Sequence, residues 1–140
     1  MSRLPFFVYG TLLRGEGNHD AFLRGRTLSE TPAILTGAVL YEGPGYPYAV
    51  EAPQDSGAVV HGELVTADPA AYAQLLHSLD ELEEYAPGDP ANLYERVARD
   101  VTRATDGARV RAWVYVAAPT VAAELRASGQ LIKGGNWRPR

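Results

Sequence analysis

Apolar and polar positions along this 140-residue chain fall into short runs that predict strands interleaved with a few helices. Residues 4–9 (LPFFVY) form a compact apolar run with aromatic and β-branched content, which reads as a buried strand. It stops at Gly10 and Thr11, followed by Leu12, Leu13, Arg14 and the loop Gly15-Glu16-Gly17. Asn18 is a candidate N-cap for a short helix over residues 19–24, closed by Gly25. Residues 33–41 (AILTGAVLY) read as a second strand, and Gly43-Pro44-Gly45 separates it from a short strand or edge segment over 46–51 (YPYAVE). Residues 58–66 (AVVHGELVT) alternate as a further strand. After the loop Pro87-Gly88-Asp89-Pro90, residues 94–105 alternate as a half-exposed strand, turn at Asp106-Gly107 and return as the strand 110–117. Pro119 opens a short helix that Gly129 stops, and the final Gly134-Gly135-Asn136-Trp137-Arg138 has no clear period.

The longest helical pattern covers residues 68–85, DPAAYAQLLHSLDELEEY. Asp68 can cap it and Pro69 suits its first position. Tyr72, Leu75, Leu76, Leu79 and Leu82 recur at helical spacing and make one apolar stripe. Asp80, Glu81 and Glu84 are expected to point away from it. Glu83 is not, since it lies four positions after Leu79 and seven after Leu76. A carboxylate on the buried face of a helix loses solvation, so its pKa rises and it can shuttle protons near neutral pH. The alternative is a helix that frays after Leu82 and turns Glu83 out to water.

Five or six strands with three helices, not repeating as strand–helix–strand, point to an α+β fold with a largely antiparallel or mixed sheet, open or closed. Without a GxGxxG fingerprint, a doubly wound nucleotide fold is not expected. Length, and the lack of any linker, repeat or low-complexity stretch, predict one domain over 1–140.

Composition narrows the chemistry. Cysteine is absent, which excludes disulfides, thiolate metal sites and a cysteine nucleophile. His19, His61 and His77 lack metal-ligand spacing, so no metal site is expected. A formal net charge of −4 argues against nucleic-acid binding, the basic end (Lys133, Arg138, Arg140) reading as a solvated tail. The first apolar run is too short for a signal peptide or membrane span, so a cytoplasmic protein with no membrane partner is expected. No serine sits in a GxSxG-type turn. What remains is one carboxylate on an apolar face and a strand-end glycine loop, residues 9–12, whose N–H groups can hold an anion. Tyr46, Tyr48, Tyr94 and Tyr115 can line the space between them, or sit in the core with hydroxyls at its rim. Such a set suits proton transfer within a small polar substrate that supplies its own nucleophile.

The run FFVYGTLLRGEGNH resembles the N-terminal signature of the γ-glutamylcyclotransferase-like (AIG2-like) family. Further matches follow in the family's order: Gly45-Tyr46-Pro47, VVHGELV, LDELEEY, Tyr94-Glu95-Arg96-Val97, AWVYV and Gly-Asn-Trp-Arg. This resemblance implies a small mixed, largely antiparallel β-barrel flanked by short helices, with its pocket at the YGTL loop and no cofactor. It implies Glu83, in the L-D-x-x-E motif, as general acid/base. It places the α-carboxylate and α-amino end of a γ-glutamyl substrate on Tyr9, Gly10, Thr11 and Leu12, with Tyr94 and Tyr115 lining the substrate site. Three positions depart from the pattern: Glu84 where relatives usually carry glycine, Val65 for a tyrosine, and Asn136 for an aspartate. The expected reaction releases 5-oxoproline and a free amine. A non-catalytic binding domain of the same fold, or an amidase releasing glutamate, are the alternatives. The leaving amine and the oligomeric state are not fixed by the sequence; the loops 43–45 and 87–90 are the expected walls of amine selection.

Overall fold

The computed structural model describes residues 3–13 and 15–137; Arg14, Arg138 and Arg140 lie outside them. Five strands, β1 (Phe6–Val8), β2 (Thr27–Thr36), β5 (Val59–Ala67), β6 (Tyr94–Arg103) and β7 (Arg109–Ala117), close a barrel in the order β1-β5-β2-β6-β7. Its pairs are antiparallel except β1 with β7, which run parallel with Phe6 opposite Trp113. The barrel is therefore closed and mixed, and closure leaves no exposed sheet edge along its wall. A second sheet, in the order β4-β3-β8, is built from β3 (Ala38–Glu42), β4 (Pro47–Glu51) and β8 (Leu131–Ile132).

Strand alternation sorts the apolar residues into two cores. Phe7 joins Ala33, Leu35, Val60, Leu64, Val101, Ala112 and Val114, a cluster drawing on all five barrel strands. Phe6 and Val8 face the other way and pack with Val65, Tyr115 and the helix α1 (Tyr72–Leu82) through Tyr72, Leu75 and Leu79. Leu75 and Leu79 are fully buried. The wall is tight where β1 crosses β5: a Cβ on Gly62 would lie 2.2 Å from the Val8 carbonyl oxygen. Only glycine allows the strands to approach that closely.

Several sequence expectations are corrected. Residues 33–41 are not one strand, because Gly37 takes a left-handed φ of +76° and sends the chain from the barrel into the second sheet. The short helix near residue 20 is a π-helical turn, His19–Leu23. Asn18 does not cap it through its side chain, having bonded Thr11 instead. The pattern over 68–85 begins as a 3₁₀ turn, Pro69–Ala71, where Asp68 accepts from the Ala70 N–H at 3.0 Å, and α1 proper ends at Leu82. Leu131–Ile132, between the Gly129 stop and the terminal stretch without a period, form a strand that the sequence pattern did not mark, β8, so the described strands number eight. The helix after Pro119 is α2 (Pro119–Ser128), stopped at Gly129 as expected. No described helix is long and apolar enough to cross a membrane.

Candidate functional site

The end of β1 makes one wall of the site. Leu13 donates its N–H to the Gly10 carbonyl at 3.0 Å, closing a turn whose two central N–H groups, of Thr11 and Leu12, lie outside that bond. Gly10 seats this turn against β4, since a Cβ there would stand 2.8 Å from the Pro47 ring. Asn18 braces the turn from the other side, donating from Nδ2 to Thr11 Oγ1 at 2.8 Å.

The end of α1 makes the opposite wall. Tyr85 donates its N–H to the Asp80 carbonyl at 2.8 Å and Glu84 donates to that of Glu81 at 3.1 Å, the paired bonds of a Schellman cap. Glu83 is the C-cap, its N–H still reaching the Leu79 carbonyl at 3.0 Å. Glu84 then occupies the position that glycine normally fills, at a left-handed φ of +53°. The helix therefore stops abruptly rather than fraying, and Glu83 faces a cavity rather than bulk water. Because a non-glycine residue in this conformation costs about 1 kcal/mol, Glu84→Gly is expected to stabilise the fold by roughly that amount. A denaturant midpoint shifted upward at an unchanged m-value would register it.

Between these walls lies a cavity of about 230 Å³. Tyr9, Gly10, Thr11, Leu12, Glu83, Tyr94 and Tyr115, distant in sequence, all line it. Phe7, Val8, Asn18, Tyr46, Pro47, Leu82, Glu84 and Leu93 complete the lining. The loops 43–45 and 87–90 do not themselves reach it; Tyr46, Pro47 and Leu93, a few residues further on, do. Tyr48 stands behind the wall, stacked on Tyr94 with ring centroids 4.7 Å apart.

The electrostatics follow from burial. Loss of solvent pushes the Glu83 carboxyl up to about 7. Its place at the helix C-terminus, the negative end of the dipole, acts in the same direction. Burial raises the phenols of Tyr9, Tyr94 and Tyr115, which stay protonated; the hydrogen bond to Asp80 adds to it at Tyr115, and the nearby Glu83 charge at Tyr9 and Tyr94. Each of those protons already has an acceptor. Tyr9 donates to the Tyr115 carbonyl at 2.6 Å, Tyr94 to the Pro47 carbonyl at 2.7 Å, and Tyr115 to Asp80 Oδ1 at 2.6 Å. Toward a ligand, these hydroxyls offer lone pairs only.

Asp80 is the residue that sequence reasoning misplaced. It does not point to water: Oδ1 accepts from Tyr115 and also from Arg96 Nε at 2.9 Å. Arg96 lies over the Trp113 ring, 4.3 Å from its centroid, with Tyr85 at 5.4 Å. Asp80 thus ties the last turn of α1, by side chain and by its capped carbonyl, to β6 and β7. A signal was present, because Asp80 and Arg96 both fall inside matched motifs, LDELEEY and Tyr94-Glu95-Arg96-Val97. Among the described residues no group of His, Asp and Glu could hold a metal ion.

Residues 6–139 match the family model "Gamma-glutamyl cyclotransferase, AIG2-like". A gamma-L-glutamyl-butirosin B gamma-glutamyl cyclotransferase from Niallia circulans is 35% identical over 79% of this chain, and the aligned region spans 64% of that relative's own length. A putative gamma-glutamylcyclotransferase from Halalkalibacterium halodurans is 36% identical over 82% of this chain and 90% of its own. The crystal structure of an AIG2-like protein from Mus musculus superposes with a TM-score of 0.67 at 25% identity, covering 98% of this chain and 96% of that one. Match, fold and motif order agree, and the chain belongs to the gamma-glutamyl cyclotransferase, AIG2-like family.

Proposed function

We propose that this chain, acting as one domain, is a cyclotransferase that converts a small γ-glutamyl amine or amide into 5-oxoproline and the free amine. The observation that carries this reading is the placement of Glu83. A partly buried carboxylate with its pKa raised to about 7 shares one cavity with a strand-end turn whose Thr11 and Leu12 N–H groups lie outside its closing bond. The Thr11 and Leu12 N–H groups would hold the substrate's α-carboxylate. The α-ammonium then lies toward Glu83 and the tyrosine lone pairs.

Glu83 removes one proton from the ammonium. The neutral amine attacks the γ-carbonyl carbon of the same molecule, forming the C–N bond of a five-membered lactam. The C–N bond to the leaving amine breaks as Glu83 returns that proton to the departing nitrogen. The attacking nitrogen gives up its second proton to the regenerated carboxylate, which passes it on to the freed amine, so that a neutral lactam and an ammonium leave. A base with a pKa near 7 is suited to these transfers at neutral pH. Nucleophile and electrophile share one molecule, so the cavity contributes chiefly by holding it in the reactive conformer. No step calls for a metal or a cofactor.

The test is a product assay on γ-glutamyl dipeptides and γ-glutamyl amines, scoring 5-oxoproline against glutamate. Release of 5-oxoproline is the expected result; glutamate would instead mean attack by water, and binding without turnover a non-catalytic domain.

Asp80 would act as a positioning residue for Glu83. Asp80→Asn keeps the helix and weakens the hold on Arg96, so Glu83 loses its fixed place. A misplacement of about 1 Å can cost up to ~100-fold in rate; kcat is expected to fall by roughly 10-fold or more with KM little changed. A fall in stability with kcat preserved would show Asp80 to be structural only.

A further inference from the structure

The cyclotransferase reading leaves one charged lining residue without a task. Glu84 borders the cavity beside Glu83, yet the proton transfers need only one carboxylate. It is exposed at the cavity mouth and makes no ion pair with any described residue. Its backbone is held by the Schellman cap, so the carboxylate cannot drift away with a frayed helix end. Its charge is felt at the hydroxyl of Tyr48, behind the Tyr94 wall.

The rest of the lining gives that charge a direction. No lysine or arginine lines the cavity among the described residues. The protons of Tyr9, Tyr94 and Tyr115 are all committed to protein acceptors, so away from the Thr11–Leu12 turn that takes the α-carboxylate, the charged side chains of the lining are the two carboxylates. The α-ammonium of the substrate answers Glu83. The leaving nitrogen must also approach Glu83 to collect its proton, so the group attached to that nitrogen starts next to the following residue. Consecutive α-carbons are about 3.8 Å apart, and a charge a few bonds beyond the leaving nitrogen falls well within a Debye length of Glu84.

We propose that Glu84 is a specificity residue, favouring γ-glutamyl substrates whose leaving amine carries a second positive charge. The proposal rests on the cyclotransferase reading. An anionic leaving group is disfavoured by the same field, and a neutral one is indifferent to it.

The experiment compares three substrates of similar length: γ-glutamylcadaverine, with a free terminal ammonium; γ-glutamyl-n-pentylamide, neutral; and γ-glutamyl-5-aminopentanoate, with a terminal carboxylate. Wild type, Glu84→Gln and Glu84→Gly are assayed for 5-oxoproline at low and high salt. Wild type is expected to prefer the cationic over the neutral substrate by roughly 2- to 5-fold in kcat/KM at low salt, the size of an exposed charge pair. Both variants should bring that ratio to near one, and added salt should shrink it in wild type alone. A ratio that is the same in wild type and both variants would overturn the role of Glu84 while leaving cyclotransfer standing. No 5-oxoproline from any of the three substrates would overturn the underlying reaction, and this selectivity with it.

Discussion

Replacing Glu83 by Gln is expected to lower kcat by roughly 10²- to 10⁴-fold, the usual contribution of a positioned acid/base. The amide keeps the shape of the cavity wall, so substrate binding should survive, and equilibrium binding of an unreacted γ-glutamyl amine to the variant checks that. Equal activity in the variant would remove Glu83 from the mechanism. For wild type, kcat/KM should rise with pH through about 7, as burial has raised the carboxyl to that point. The base acts only when ionised, so the acidic limb of the profile belongs to Glu83 and should vanish in the variant's residual rate. The same shift acts on stability in the opposite sense. Folded Glu83 holds its proton up to about 7, whereas the free side chain releases it near 4.5. The folded state thus binds more protons between those values, and its stability falls as pH rises from 4.5 through 7. Above that window the protein keeps an ionised, desolvated carboxylate at an energetic cost on the order of a few kcal/mol. Glu83→Gln is therefore expected to be more stable than wild type at pH ~8, with no advantage at pH ~4. Denaturant unfolding across that range measures it.

The second large effect is expected at Leu79. Its side chain is fully buried in the cluster that joins α1 to the barrel, and its carbonyl accepts the Glu83 N–H. Leu79→Ala removes three buried carbons and leaves a void that close-packed neighbours only partly fill, a change that costs about 2–5 kcal/mol. Chemical denaturation should show a loss in that range. The backbone bond to Glu83 is untouched, so kcat per folded molecule should change far less than after Glu83→Gln. A loss below ~1 kcal/mol would mean that α1 is not held by this face.

Much of the site could be read from residue order. The stripe from Tyr72 to Leu82 marked the buried face of α1 because helical spacing is a local property of the chain. Glu83 stood out from the same spacing. The turn at Gly10 just after β1 and the capping role of Asp68 were likewise visible, since turns and caps act within a few residues. The Asp80 side chain was not legible in this way. A helical wheel knows only that Asp80 leaves the apolar stripe; that it meets Arg96 and Tyr115 depends on β6 and β7 lying alongside α1. The left-handed Glu84 was equally hidden, because its side chain does not favour that conformation and the cap imposes it.

By itself, then, the sequence determined most of the strands and the two α-helices, the apolar faces they bury, glycines at several of their ends and the carboxylate on the edge of one stripe. Each follows from interactions between residues close in the chain. The tertiary structure alone decided that the barrel closes through the parallel β1–β7 pair, that Gly37 divides one apolar run between two sheets, and that both ends of the site meet across a single cavity. These depend on contacts between segments as far apart as Tyr9 and Tyr115. Closing such long loops is repaid only when the whole core packs at once, so no local pattern announces them.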